Sequence, residues 1–437
     1  MLVGILLPTS NADPADPLGE LSDLAQTAGA TVAAKLIAKR RDINPKSYVG
    51  SGKAREIAEK AAESQADTII FDNDLTPAQI RELEEITERK VIDRSELILD
   101  IFAAHARTSE SRLQVELAQL EYTYPRLRHM WSHLERVAGG AATASTAIGG
   151  IGTRGPGEKQ IEIDRRLVQK RVSYLKRKIA EVDRRKIRQI RRRKSAYCVC
   201  LVGYTNAGKS TLINLLTGTG TYVADKLFAT LGTKTRQWQL DNGPDTLISD
   251  TVGFIRDLPH HLIASFRATL EEAINADLLI HVADGSHNRL DDQIRAVDQV
   301  LEELGCNLDN RLMVLNKIDR ISDPARVTVL RTRYPQAILL SAKTGQGADK
   351  LVEEVTKRRG AGAVYITLHA DCRNGKLMQY IERHATITSR RYTDSTASIT
   401  ATMDPQRLAR LDMFGSDVRI VHDQPAFSDK PDAPTDQ

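Results

Sequence analysis

The chain has 437 residues, an apolar share of 41%, four cysteines and a formal net charge of +5. That length exceeds what one small core organises and points to two to four domains. No apolar run approaches the ~20 residues that span a bilayer, and Cys198, Cys200, Cys306 and Cys372 follow no metal-ligand or disulfide spacing. A membrane channel and a secreted disulfide scaffold are excluded; a cytoplasmic protein is expected, with peripheral attachment to a membrane as the alternative.

Residues 1–106 alternate short apolar runs ("LVGILLP", "TIIFDN", "KVIDRS") with helical patterns ("AREIAEKAAES", "TPAQIRELEEITER"). The opening run is followed by acids and lacks a basic leader, so it reads as a first strand and not as a signal peptide. Thr76 before Pro77 is an N-cap and first-turn pair. The expectation is a small α/β domain. Its stretch "YVGSGKAREI" looks like a phosphate loop, but Ser47 stands where the first glycine is needed, so a tight turn entering a helix is favoured.

Residues 107–194 read as a helical hairpin. Leu113, Leu117, Leu120, Tyr124, Leu127, Trp131 and Leu134 follow a heptad seam, which Pro125 is expected to kink or break. A Gly/Ala-rich stretch from Ala138 to Gly157 follows, and then Val168, Val172, Leu175, Ile179 and Val182 repeat the spacing. Two seams joined by a flexible linker predict an antiparallel coiled coil with a glycine-rich tip, paired within one chain, so a monomer is expected. The second helix is basic: residues 154–194 carry +12 and the rest of the chain −7. A localised charge of that size suggests a polyanionic partner, recognised through backbone and shape. The candidate RNA-binding residues are Arg184, Arg185, Lys186, Arg188, Arg191, Arg192, Arg193 and Lys194.

Residues 195–358 carry the chemistry. In "CVCLVGYTNAGKSTLINLL" an apolar strand runs into Gly203, four residues follow, and Gly208-Lys209-Ser210 open a helical pattern. That is a Walker A loop in its required context. Its backbone N–H groups and helix dipole cradle phosphate, Lys209 adds a point charge, and Ser210 can ligate magnesium. Asp250 and Gly253 form the Asp-x-x-Gly that grips magnesium and senses the γ-phosphate. Phe254 stands where related switches carry the Gln that orients the attacking water. "LMVLNKID" presents Asn316, Lys317 and Asp319, whose carboxylate can accept from guanine N1–H and its 2-amino group but would be left unpaired by adenine. Ser341, Ala342 and Lys343 follow as the base-supporting loop. Four motifs in order, each at a strand end, read as a guanine-nucleotide site on a mainly parallel sheet. Between the first two motifs, Thr230, Thr233 and Thr235 are all available to magnesium, with Thr230 favoured although spacing alone does not choose among them. Residues 362–422, with β-like "VYITLHA" and "STASITATM", read as a small α+β domain, and 423–437 as a disordered tail.

The signatures "SRLQVELAQLEYTYPRL", "GIGTRGPGEKQIEIDRR", "LVGYTNAGKSTL", "KLFATL" and "DTVGF" resemble the HflX GTPases, a likeness that covers nearly the whole chain. The resemblance implies a Ras-like P-loop G domain joined to an N-terminal α/β domain, a helical hairpin and a small C-terminal domain. It implies slow GTP hydrolysis with Mg2+, association with the large ribosomal subunit, and splitting of stalled ribosomes under stress. It assigns Thr230 as the magnesium-contacting switch threonine, and a hydrophobic residue at 254 is characteristic of the family. Two departures stand out: the tip carries an added "AATASTAIGG", and "LGTKTR" replaces the usual "LDPTTR". The candidate set is Lys209, Thr230 and Gly253 for catalysis and Ser210, Thr230 and Asp250 for metal. Nucleotide binding extends over Gly203, Tyr204, Thr205, Asn206, Ala207, Gly208, Lys209, Ser210, Thr211, Phe228, Ala229, Thr230, Leu231, Gly232, Asp250, Thr251, Val252 and Gly253. Asn316, Lys317, Ile318, Asp319, Ser341, Ala342 and Lys343 complete it. The alternative is a nucleotide-gated switch whose coiled coil engages a protein partner.

Overall fold

The computed structural model describes residues 1–8, 10, 12–139, 156–192, 196–218, 227–228, 234–240, 245–256, 270–360, 364–393, 396–403, 408, 411 and 419–422. Strands β1 (Leu2–Leu6), β2 (Lys35–Lys39), β3 (Thr68–Phe71) and β4 (Lys90–Asp93) form a parallel sheet in the order β2-β1-β3-β4. Four helices accompany them: α1 (Gly19–Thr27), α2 (Ser51–Glu63), α3 (Pro77–Thr87) and α4 (Arg94–His105). Helix α3 starts with the cap its sequence predicts. Gln79 N donates to Thr76 Oγ1 and Thr76 N to Gln79 Oε1, a reciprocal capping box. The "VGSGK" segment is indeed a turn into α2, with Gly50 at φ +83°.

Helices α5 (Ser109–Gly139) and α6 (Pro156–Arg192) follow. Of the kink or break expected at Pro125, the break is absent: α5 runs through it. A proline removes one backbone donor, and a helix of 31 residues can forgo that bond. The two helices lie against each other, with Leu117 and Leu175 buried. Arg171 clasps Glu116 at 2.7 and 2.9 Å, Lys176 reaches Glu121 at 2.8 Å, and Gln169 donates to Tyr124 at 2.8 Å. At the base of α5, Tyr122 donates to Asp93, whose carboxylate also caps α4. Most of the glycine-rich tip, residues 140–155, lies outside the described residues.

The third unit is a six-stranded sheet, β10-β9-β8-β5-β7-β6, in which only the β6–β7 pairing is antiparallel. Its strands are β5 (Tyr197–Val202), β6 (Lys234–Trp238), β7 (Thr246–Asp250), β8 (Leu278–Asp284), β9 (Arg311–Asn316) and β10 (Ile338–Leu339). Among the described residues, helices α7 (Lys209–Thr217), α8 (Leu290–Glu303), α9 (Pro324–Arg333) and α10 (Ala348–Gly360) flank the sheet as in a doubly wound fold. Strand β8, "LLIHVAD", is buried on both faces, as a central parallel strand must be.

Residues 364–422 pair β11 (Val364–Asp371), β12 (Ala385–Thr393), β13 (Thr396–Met403) and β14 (Arg419–His422) antiparallel in the order β12-β13-β11-β14. Helix α11 (Gly375–His384) buries Leu377 and Ile381 with Ile366, Leu368, Ile399 and Ala401. This is the split βαβ arrangement. The tail expected to be disordered, 423–437, lies outside the described residues.

One core crosses the boundary between the first and third units. Leu97, Ile98, Ile101 and Phe102 of α4 and Val115 and Ala118 of α5 pack in one cluster with Tyr204, Leu227, Phe228, Val252, Phe254 and Ile255. The nucleotide-sensing segments of the G domain therefore rest on the N-terminal domain.

Candidate functional site

Strand β5 delivers the chain to the phosphate loop. Gly203 sits at φ +150°, where a Cβ would lie 2.1 Å from the Val282 carbonyl oxygen, so no side chain fits. Gly208, at φ +93°, would place a Cβ 2.3 Å from Asn316 Nδ2. The loop thus closes directly onto the end of β9, and α7 begins at Lys209, with Ser210 and Thr211 in its first turn. Lys209 Nζ donates to the carbonyls of Gly203 at 3.0 Å and Tyr204 at 2.9 Å. Burial lowers its pKa to about 8, with the nearby Asp250 pulling the other way.

Asp250 closes β7, and Ser210 Oγ donates to its Oδ2 at 2.6 Å. Two hard oxygen donors at the edge of a phosphate cradle suit a magnesium ion that completes its shell with phosphate and water. Thr230, the third candidate, lies outside the described residues together with Ala229, Leu231 and Gly232.

The residues predicted to hold the base are joined to one another by side-chain bonds. Asn316 Nδ2 donates to the Ala207 carbonyl at 2.8 Å, and its Oδ1 accepts from Ala342 N at 2.8 Å. One amide side chain thereby locks the phosphate loop to the base-supporting loop. Ser341 Oγ donates to Asp319 Oδ1 at 2.6 Å, aiming that carboxylate. Asp319 follows Ile318 on a 3-10 turn, and Lys317 enters it at φ +60°. The Lys317 ammonium lies 2.9 Å from Asp284 Oδ2, and Ser286 donates to Asp284 Oδ1 at 2.6 Å. Burial would raise the Asp284 pKa, but the bonds from Lys317 and Ser286 hold it below the ordinary carboxylate value. Sequence reasoning missed Asp284, although its signal was there: like Asp250, it ends an apolar strand. Lys343 is exposed beside the pocket.

The rest of the Asp-x-x-Gly segment turns inward. Thr251 donates to the Leu201 carbonyl at 2.7 Å, and Val252 is buried. Phe254 is 3% exposed in the interdomain core, with its backbone bonded to Gly203 and Thr205. Phe228, at φ +55°, sets its ring edge-on to Phe102 of α4 at 4.6 Å. These side chains belong to the domain junction.

A polar network missed from sequence seals that junction. Arg94, with a side chain 2% exposed, donates to Glu20 at 2.5 Å and to Asp72 at 2.7 Å. Burial opposes its charge, but Glu20 and Asp72 raise the pKa above its ordinary value. From the G domain, Arg256 reaches Asp72 at 3.1 Å, and the Tyr204 hydroxyl donates to Glu20 while accepting from Arg256 N at 2.7 Å. Asp72 and Arg94 sit just past the C-terminal ends of β3 and β4, the edge where doubly wound sheets bind ligands. Here a neighbouring domain's switch takes that place. Beside it lies a cleft of roughly 720 Å³, lined by Asp16, Glu20, Thr205, Asn206, Arg256 and Arg289 among others.

Of the proposed RNA contacts, Arg184 and Arg185 are exposed on α6; Lys186, Arg188, Arg191 and Arg192 fall on the same helix, and Arg193 and Lys194 lie outside the described residues. A further basic group was missed. Tyr174, 40% exposed, has the Arg171 and Arg177 guanidinium carbons 5.4 and 5.8 Å from its ring centroid, with Arg166 and Lys170 alongside.

Three family models match the chain in succession: "GTP-binding GTPase N-terminal" over residues 15–103, "GTP-binding GTPase Middle Region" over 105–193 and "50S ribosome-binding GTPase" over 198–317. The chain is 40% identical to the GTPase HflX of Lacrimispora saccharolytica over 412 residues, 93% of this chain and 95% of that one. It is 43% identical to the GTPase HflX of Escherichia coli K12 over 372 residues, 84% and 85% of the two chains. A GTP-binding protein of Sulfolobus solfataricus, solved in complex with GDP, covers 82% of this chain and 99% of its own at 23% identity and a TM-score of 0.41, a likeness too loose to carry weight.

Proposed function

The chain belongs to the HflX family of GTPases, and from that premise we propose that it is a Mg2+-dependent, cytoplasmic, monomeric GTPase that docks on the large ribosomal subunit and dissociates stalled ribosomes under stress. The observation that carries the nucleotide part is the mutual bonding of all four motifs. Asn316 ties the phosphate loop to the base loop, Ser341 aims Asp319, and Ser210 meets Asp250.

In that reading Asp319 accepts the guanine N1–H and 2-amino hydrogens, the phosphate-loop backbone donates to phosphate oxygens, and Lys209 leaves its loop carbonyls for the β and γ phosphates. Ser210 and Asp250, with Thr230, would hold the magnesium ion. Bound there, it would neutralise charge on the β- and γ-phosphate oxygens. The basic length of α6 supports a ribosomal RNA contact made mainly through phosphates.

The test is steady-state GTP hydrolysis with and without purified large subunits at two salt concentrations. Strong, salt-sensitive stimulation is expected. Turnover unaffected by large subunits would sink the ribosomal part and turn the search to a protein that grips α5 and α6.

A further inference from the structure

The residue after Asp-x-x-Gly is a phenylalanine buried in the domain junction, so the group that orients the attacking water must come from elsewhere. Thr205 stands at the right place. A Cβ built on Gly253 would come within 2.9 Å of both Thr205 Cα and Cγ2 and within 3.1 Å of Lys209 Nζ. Thr205 therefore borders the point where the γ-phosphate lysine and the γ-phosphate-sensing glycine converge. Its backbone is pinned there, because Thr205 N donates to the Phe254 carbonyl at 2.7 Å. The residue is 7% exposed, yet Oγ1 has no hydrogen-bond partner among the described residues. A buried hydroxyl left without a partner is costly, so such a group points to a ligand that satisfies it. Thr205 also lines the polar cleft between the domains.

We propose that Thr205 is a catalytic residue of GTP hydrolysis, its Oγ1 accepting a hydrogen bond from the attacking water and donating a hydrogen bond to a γ-phosphate oxygen. The water oxygen forms the new bond to the γ-phosphorus. The bond from that phosphorus to the β–γ bridging oxygen breaks, and GDP leaves with the electron pair. One water proton goes to the phosphate product, so water and GTP give GDP and inorganic phosphate with the threonine unchanged. A hydroxyl suits this relay because it donates and accepts at once, which the benzyl group of Phe254 cannot do.

The discriminating variants are Thr205→Val, which keeps the shape and removes the hydroxyl, and Thr205→Ser, which keeps the hydroxyl. Each is measured in the full chain for single-turnover GTP hydrolysis, for GDP affinity, and for retention of GDP in the presence of aluminium fluoride, which mimics the planar phosphoryl group. The valine variant is expected to lose about 10- to 100-fold in rate, the order of one oriented hydrogen-bonding group. It should keep GDP affinity within about threefold and lose the fluoride-dependent retention, and serine should restore both. If the valine variant fails to bind GDP, Thr205→Ala takes its place in the same comparison. A removal variant that hydrolyses within about twofold of the parent chain overturns the proposal. So does one that loses GTP affinity with an unchanged rate, because the contact then belongs to the ground state alone.

Discussion

The hydroxyl of Tyr204, on the phosphate loop, donates to the carboxylate of Glu20, 184 residues earlier on α1. The same hydroxyl accepts the backbone N–H of Arg256, just beyond Phe254, at 2.7 Å. One phenol thus ties the nucleotide loop, the switch that follows Asp-x-x-Gly and the N-terminal domain. Burial would raise the Glu20 pKa, but Arg94, Tyr204 and Arg256 bring it below the ordinary value; Asp72 stays raised, because burial outweighs the same arginines there. Tyr204→Phe leaves the Arg94 pairs standing and is expected to cost about 1–3 kcal/mol. Arg94→Ala leaves Glu20 and Asp72, both partly buried, with Arg256 as their remaining arginine partner and is expected to cost about 3–5 kcal/mol. Chemical denaturation of both variants checks the order; equal losses would mean that Arg94 does not hold the junction.

Phe254→Gln is expected to be a loss and not a repair. The position is 3% exposed among Phe102, Val252 and Leu227, so a glutamine there buries an amide instead of meeting water. A stability loss of about 1–3 kcal/mol from unpaired polar atoms is expected, with no gain in GTP turnover. A tenfold faster variant in a hydrolysis assay would show that residue 254 does reach the nucleotide.

The strand-end placement of the four motifs was legible from the sequence, because phosphate, magnesium and guanine restrict the residue types a nucleotide site can use there. Asn316 and Ser341 then do more than the motif states, since their bonds fix the loops to each other. The junction was not legible. Glu20, Asp72, Arg94 and Arg256 have no spacing in common, and only the fold brings them together. Strand β2 was missed for a simpler reason: "KLIAK" sets two buried residues between three exposed ones, too short an alternation to stand out. Helix α5 shows a narrower correction: of the kink or break expected at Pro125, the helix excludes the break.

Lys209 predicts a proton signature. Burial lowers its pKa to about 8 in the free protein, and bound phosphates would restore a value near that of ordinary lysine. Nucleotide binding at pH 8.5 should therefore take up about three-quarters of a proton. Affinity should fall as pH rises above 8, because the free form must then be protonated in order to bind. For the free protein the sign is reversed: a depressed lysine pKa leaves the unfolded chain binding more protons between about pH 8 and 10.5, so stability rises through that window. Calorimetry in two buffers of different ionisation enthalpy gives the proton count; a heat independent of buffer would contradict the shift.

Tyr174 separates stacking from charge on α6. Its ring is 40% exposed and framed by Arg171 and Arg177, so removing it should leave the helix intact. If α6 meets unpaired bases of ribosomal RNA, Tyr174→Ala should weaken binding to large subunits by about 1–3 kcal/mol, the worth of one base–aromatic stack, whereas Tyr174→Phe should not. Lys170→Gln with Arg177→Gln should instead flatten the salt dependence, since each lost phosphate contact lowers the slope by about one unit. Co-sedimentation across a salt series distinguishes the two effects. A Tyr174→Ala variant that binds as the parent does would leave α6 as a purely electrostatic rail, with the ring serving only to space its arginines.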